Sequence, residues 1–294
     1  MDLVSAIPKR HSVRRYTGRR VSHGLVQQVF SAGNDAPRLW PHIGIRWYTV
    51  WDGKVVTRRL IAQEDEHHTL QHVPHYILAV SEERPGYMEN LGYCMEHMIL
   101  AATSLGLGTC WVGALSAGEH LAQFTPDLAP GERIVALTPL GYADTSQRAN
   151  LARRLRRWGT DRLGERRPLT ETVSQDIWSV PWAGEDEALH RILELTRVAP
   201  SWNNEQPWHF VIDEQQVLIT VNHTVQEGDG VRALPYCRLD GGIAMCHFAL
   251  AAQAAGWTGQ WRVPEAAEGK MLHDRYIIPR NYDVLGVYPL AGSR

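Results

Sequence analysis

Apolar residues recur at helical spacing in two distant places. Leu25, Val26, Val29 and Phe30 share one face, as do Leu189, Ile192 and Leu193, the i, i+3, i+4 pattern of an amphipathic helix. Each predicted helix runs into Ala-Pro, at Ala36-Pro37 and at Ala199-Pro200. A β-rich apolar run follows, over 47–51 in one case and 209–212 in the other. Asp52-Gly53 is a tight-turn signal before Val55-Val56, and Gln215-Gln216 precedes Val217-Leu218-Ile219, so a second strand is expected in each place. Long small-residue helices are predicted over 90–105 and 241–255, and strands over 134–138 and 284–288, each just before Pro-Leu. This mixture points to an α+β fold rather than a regular parallel β-α-β series.

The two series share more than their order. Residues 92–141 and 242–291, offset by 150 without a gap, are identical at eleven positions, among them Gly92/Gly242, His97/His247, Gly106/Gly256 and Trp111/Trp261. The Ala-Pro pairs match at an offset of 163, so the first series carries 13 extra residues between these blocks. A repeat of this kind is read as a duplication. Two halves are therefore expected, 1–170 and a shortened 171–294, together forming one structural unit. Ala101, Ala102, Ser104 and Gly106, with Ala251, Ala252, Ala254, Ala255 and Gly256, leave little side-chain bulk on the long helices. Two such helices can face each other about a pseudo-two-fold axis, as in an isologous dimer; simple burial is the alternative.

Composition leaves this picture standing. The 294 residues are 44% hydrophobic and 21% charged, as in ordinary globular proteins. A net charge of −2 gives no general attraction for nucleic acid or an anionic membrane. The beginning of the chain has no signal-peptide core, and no stretch has the apolar length of a membrane span, so a cytoplasmic location is expected. Cys94, Cys110, Cys237 and Cys246 lack metal-ligand spacing; buried reduced thiols are expected, with a redox pair as the alternative. The fourteen histidines show no H-E-x-x-H spacing, and no metal is expected at His67-His68, His72 and His75.

Four patterns carry candidate chemistry. Arg10-His11-Ser12-Val13-Arg14 reads R-x-S-x-R, which places two guanidinium groups and a hydroxyl on one side of an extended segment. Alone, it is a weak signal and reads more readily as a solvated basic arm. Ala199-Pro200-Ser201-Trp202-Asn203-Asn204-Glu205-Gln206-Pro207-Trp208 reads A-P-S-x-x-N-x-Q-P-W. Pro200 ends a helix there, and Asn203-Asn204 suits a turn. Between them, Leu105-Gly106-Leu107-Gly108-Thr109-Cys110-Trp111-Val112-Gly113 follows the first long helix, and Leu140-Gly141-Tyr142 ends a strand.

Together with Arg166-Arg167-Pro168-Leu169, these motifs closely resemble those of the FMN-dependent nitroreductase family, in the family's order. The likeness is to its fused, internally duplicated type, the TM nitroreductases. It covers most of the chain and implies a nitroreductase-like α+β fold, its two pseudo-symmetric halves mimicking the family homodimer. It also implies FMN as cofactor and NAD(P)H as electron donor, reducing a small nitroaromatic or quinone-like acceptor. By resemblance, Arg10, His11, Ser12 and Arg14 bind the flavin phosphate, a dianion suited to the Arg fork, with Arg166 and Arg167 as further candidates. Trp111, Val112 and Gly113 belong to the cofactor site. Pro200, Ser201, Trp202 and Asn204 form the flavin edge, while Gln206-Pro207-Trp208 is expected to pack rather than contact ligand. No general acid or base is implied, because the flavin carries the hydride chemistry.

The departures sharpen the expectation. At offset 163, Ser201 corresponds to Arg38 and Asn204 to Pro41, so the first half lacks the edge. Val173-Ser174-Gln175-Asp176-Ile177 is expected to stand in the second half's arm position and contains no arginine. One FMN per chain is therefore expected, in a site built from the first half's arm and the second half's edge. A monomer is then sufficient, with a small-molecule substrate and neither nucleic acid nor membrane as partner. A flavin-storing protein without turnover is the alternative, motivated by the lost site and by the segments 67–75 and 225–232. The arginine-rich stretch 148–167 is otherwise expected to be a solvated connector.

Overall fold

A computed structural model describes residues 2–61, 70–146, 165–227 and 230–290. The chain divides into two compact units, Met1–Tyr87 with Cys94–Gly164, and Met88–Tyr93 with Glu165–Arg294.

The first unit contains α1 (His23–Asn34), β1 (Ile45–Val50), α2 (Gly53–Ile61), β2 (His75–Glu82), most of α3 (Tyr87–Ser104), β3 (Val112–Gly113), α4 (Gly118–Leu121) and β4 (Glu132–Leu140). Ser22 starts α1 by accepting the Leu25 N–H, which satisfies one of the helix's orphan donors. The predicted apolar face follows, with Val26 and Val29 buried. The strands form an antiparallel sheet in the order β1-β2-β4-β3. Its core includes Val56, Leu60, Tyr76, Leu78 and Leu137.

Val55-Val56, expected as a strand, lies in α2. Asp52 accepts the Lys54 N–H and starts a helix in place of a hairpin. Val56 and Leu60, one helical turn apart, then enter the core, so tertiary burial overrides the local β preference. The strand that pairs with β1 is β2, farther along the chain.

The second unit contains α5 (Leu169–Thr172), β5 (Val173–Gln175), α6 (Glu187–Thr196), β6 (Trp208–Ile212), β7 (Gln216–Asn222), β8 (Thr224–Glu227), β9 (Gly230–Ala233), α7 (Cys237–Ala254), α8 (Ala266–Arg275) and β10 (Tyr282–Pro289). Asp186 caps α6 by accepting the N–H groups of Ala188 and Leu189. The sheet order is β10-β7-β6-β5, with β5 parallel and the others antiparallel. A separate hairpin pairs β8 with β9.

Three strands of the two sheets correspond in order. β1, β2 and β4 answer to β6, β7 and β10. Even an isolated bridge matches: Val112 pairs with Leu137, and Arg262, 150 residues later, bridges Val287. α3 and α7 end alike, each at a left-handed glycine, Gly106 (φ 74°) and Gly256 (φ 85°). The Leu107 and Trp257 N–H groups then bond Ala102 and Ala252 carbonyls at 2.8 and 2.9 Å, which satisfies carbonyls the helix ends leave open.

The first turn of α3 belongs with the second unit. There the backbones of α3 and α7 touch reciprocally. A Cβ on Gly92 would run into the Leu239 carbonyl, and one on Gly242 into the Glu89 carbonyl. Each contact maps onto the other by a shift of 150, the form of an isologous contact. Arg238 adds a fork onto buried Glu89, at 2.7 and 3.2 Å. Among the described residues no helix is long and apolar enough to cross a membrane.

Candidate functional site

In the first unit the arm over 10–14 is extended and tied down by its neighbours. Ser12 bridges Thr109 in parallel, and the Val13 N–H bonds the Thr109 carbonyl at 2.8 Å. Val13 turns into the core against Gly108, where any added Cβ would meet its side chain. Buried Tyr16 donates its hydroxyl to the Val13 carbonyl at 2.7 Å. Alternation then turns Ser12 and Arg14 away from the core; both are half-buried. His11 is exposed, its ring nitrogen 3.1 Å from the Lys9 carbonyl.

Arg10 carries the observation that matters most here. Its Nε and Nη1 are buried and have no partner among the described residues. The hydroxyl of Thr109, on the strand bridged by the arm, is likewise buried and unpartnered. Buried donors without acceptors cost free energy, and a charged one costs most. An anion at the arm removes that cost, so the residues present fit the phosphate of a flavin nucleotide.

Trp111 lies half-buried beyond α3 and donates its indole N–H to buried Glu96 at 2.7 Å. Val112 and Gly113 form β3 on the edge of the sheet.

In the second unit the edge motif forms a strained, polar loop. Pro200 is buried, and Asn203, Asn204 and Gln206 all have positive φ, at 48°, 56° and 48°. Asparagine visits this region readily, but glutamine does so at about 1–2 kcal/mol. Gln206 is held there from every side. Ser201 Oγ accepts its N–H at 2.9 Å, its carbonyl oxygen accepts the Arg167 N–H at 2.9 Å, and its amide donates to the Glu165 carbonyl at 3.2 Å. Gln206 and Trp208 are both buried, consistent with packing rather than ligand contact. Among the described residues Ser201 Oγ only accepts, which leaves its hydroxyl proton to donate.

Asn204 is engaged at both ends of its amide. Nδ2 donates to the Glu165 carbonyl at 2.8 Å, and Arg166 donates to its oxygen. Arg166 also donates to the Val198 carbonyl at 3.2 Å. Within the second unit, Arg166 is thus tied to the edge loop. Arg167 contributes its backbone N–H to Gln206 and points its guanidinium at Glu171, 3.4 Å away.

The segment expected in the second unit's arm position is a different element. Val173–Gln175 is β5, parallel to β6 at the sheet edge, whereas the arm bridges the strand after α3. Ser174 is saturated: it accepts the Ser179 N–H at 3.2 Å and pairs with His209 Nε2 at 2.8 Å. Trp178 lies on the His209 ring at a centroid distance of 3.9 Å. Burial, helped by the charge of Arg167, pushes the His209 pKa down to about 4. A buried, neutral histidine under an indole is a packing feature. His75 is structural too: its ring accepts the Val21 N–H at 3.0 Å and sits 3.0 Å from the Trp51 carbonyl.

The four cysteines are buried and form no disulfide, with burial pushing the Cys94 thiol up to about 12. His67-His68 and most of the arginine-rich 148–167 stretch lie outside the described residues. Sequence reasoning assigned no role to Asp240, Arg232, Glu96 or Thr109. Thr109 lies inside the motif that follows α3, whereas Asp240 and Arg232 reach the loop only through the fold.

These geometries fit what the comparisons find. The family model described as "Putative TM nitroreductase" matches residues 2–252. A curated relative from Methanothermobacter thermautotrophicus, "Putative NADH dehydrogenase/NAD(P)H nitroreductase", is 25% identical over 158 residues, 48% of this chain and 78% of the relative. The crystal structure of a nitroreductase from Thermotoga maritima superposes with a TM-score of 0.56 at 20% identity, covering 90% of each chain, a likeness that concerns the fold. With the family model spanning most of its length, the chain belongs to the TM nitroreductase family.

Proposed function

We propose that this chain is an FMN-dependent oxidoreductase that uses NAD(P)H to reduce a small acceptor of nitroaromatic or quinone type. The observation that carries the reading is Arg10, whose buried, unpartnered nitrogens call for an anion beside Ser12 and Arg14. Bound FMN supplies the hydride chemistry, while the protein binds and orients it. The guanidinium groups of Arg10 and Arg14 hold the phosphate, with Ser12 and Thr109 as hydroxyl donors. Ser201 offers a hydroxyl proton from a loop whose other polar groups are already engaged. The relative's name, "Putative NADH dehydrogenase/NAD(P)H nitroreductase", supports the donor class.

We further propose that the chain arose by internal duplication, supported by the matched bridges and helix ends at an offset of 150. One FMN per chain is expected, since the sequence carries one R-x-S-x-R and one P-S-x-x-N. Removing a charge-assisted phosphate contact weakens binding by roughly 1.5–3 kcal/mol, so Arg10→Ala with Arg14→Ala releases flavin from a folded chain. The test is acid-released flavin counted against protein, then anaerobic mixing of the loaded protein with NADH and with NADPH. Bleaching with either donor supports the reading. A yellow protein that neither donor bleaches is a flavin carrier without turnover, and a protein that takes up no FMN has neither role.

A further inference from the structure

The edge loop is attached to the second unit by one contact that its own sequence does not contain. Ser201 occupies the N-cap position of the short 3-10 turn Trp202–Asn204, yet makes no cap bond, because its hydroxyl oxygen is committed to the Gln206 N–H. The Trp202 N–H is capped from elsewhere, by both carboxyl oxygens of Asp240 at 3.1 and 3.2 Å. Asp240 lies in the first turn of α7 and is 3% exposed. That N–H is the one hydrogen-bond donor recorded on its side chain among the described residues. Burial, reinforced by the nearby charge of Glu205, raises its pKa well above the usual carboxyl range.

A buried carboxyl served by one N–H costs free energy unless it has a task. Its placement names the task. The loop holds three consecutive-region residues at positive φ, a strained conformation that persists where the surroundings over-determine it. The second anchor is Arg232 of β9, whose guanidinium lies 5.1 Å over the Trp202 ring and bonds Glu205 at 2.9 Å. Arg232 holds the outside of the turn, and Asp240 holds its backbone from within. The position 150 residues earlier is Asn90, also buried, so α-helical geometry at this place accommodates an amide of the same shape.

We propose that Asp240 is the positioning residue of the flavin edge: by accepting the Trp202 N–H it fixes the turn that carries Ser201 and Asn204. The inference rests on the reading of this loop as the flavin edge. Asp240 itself touches no cofactor. What it supplies is an acceptor oxygen, which asparagine also has and alanine lacks.

The test has two readouts on the full-length chain. The first is hydrogen exchange of the Trp202 amide in the FMN-free protein. In the parent chain this amide exchanges more slowly than that of Asn203, which has no recorded bond. Asp240→Ala speeds Trp202 exchange by about tenfold or more, the loss of one buried hydrogen bond, while Asp240→Asn stays within about threefold of the parent. The second is FMN titration: Asp240→Ala lowers affinity severalfold and shifts the flavin absorption bands, and Asp240→Asn restores both. Trp202 exchange as fast as that of Asn203 in the parent chain overturns the proposal without any variant, so a misfolded Asp240→Ala does not shield it. Equal effects of Asn and Ala also overturn it, since the role is then charge or packing. Lost Trp202 protection with unchanged FMN affinity and bands keeps the positioning role and removes the flavin-edge reading of the loop.

Discussion

The two Ala-Pro loops begin alike and are closed by opposite means. After Ala36-Pro37, Arg38 donates to the Ile43 carbonyl at 3.0 Å, and the Trp40 indole lies on Gly86, itself at φ 96°. None of the described residues over 37–43 has positive φ. After Ala199-Pro200, the chain takes three left-handed residues and is held by Ser201, Glu165, Arg166 and Asp240. One loop is shut by an aromatic ring on a glycine, and the other is kept in shape by polar bonds around a strained turn. The same helix-to-strand passage therefore serves either as packing or as a preformed polar edge, depending on a few side chains.

The arms differ in the same way. Around 10–14, Arg10 leaves buried donors unpartnered. Around 173–177, Ser174 is saturated and the segment is spent on sheet pairing. The unpartnered donors at the arm are what the proposed phosphate contact rests on, and 173–177 offers none.

The packed loop is broken most severely at Gly86. Gly86→Ala adds a Cβ into the Trp40 ring at a left-handed residue; strain and overpacking together destabilise the chain by about 3–4 kcal/mol. Urea unfolding measures this. A loss under about 1 kcal/mol would show that the ring gives way freely and that the loop is not closed by it.

Next comes a pH effect from the saturated segment. The folded chain keeps His209 neutral down to about pH 4, whereas the unfolded chain protonates it below about 6.5. A lowered histidine pKa means the unfolded state binds the extra proton, so stability falls as pH drops from about 6.5 to about 4 and is then flat. The full difference is about 3 kcal/mol. His209→Phe, which keeps the ring under Trp178, should flatten that slope when unfolding is followed across this window; an unchanged slope assigns it to other groups.

The polar loop breaks more gently. Gln206→Ala keeps the positive φ but removes the side-chain bonds to Arg167 and Glu165, with an expected loss of about 2–3 kcal/mol. Gln206→Gly should recover about 1 kcal/mol of that by relieving backbone strain. If Gly is worse than Ala, strain does not contribute at this position. The smallest effect belongs to Arg232→Ala, about 1 kcal/mol, because its ion pair with Glu205 is partly exposed and its stacking on Trp202 is open to solvent. A double-mutant cycle with Glu205→Gln gives the coupling directly, and zero coupling would leave the stacking as the whole effect.

Much of this was legible from residue order. Amphipathic spacing marks α1 and α6, the apolar runs mark β1, β6, β7, β4 and β10, and the 150-residue offset ties α3 to α7. The motifs over 10–14 and 199–208 marked the arm and the loop, because arginine forks, proline and asparagine have strong local meaning. Val55-Val56 went the other way, since a two-residue β preference is weaker than the burial of Val56 and Leu60 on one helical face. The segment 173–177 also differs from the expected arm, since an edge strand takes its role from whichever neighbour the fold provides. Asp240 was invisible, since an aspartate in the first turn of a helix is ordinary in sequence. Only folding buries it 38 residues along the chain from the N–H it accepts, and only that burial turns a common residue into the anchor of the loop.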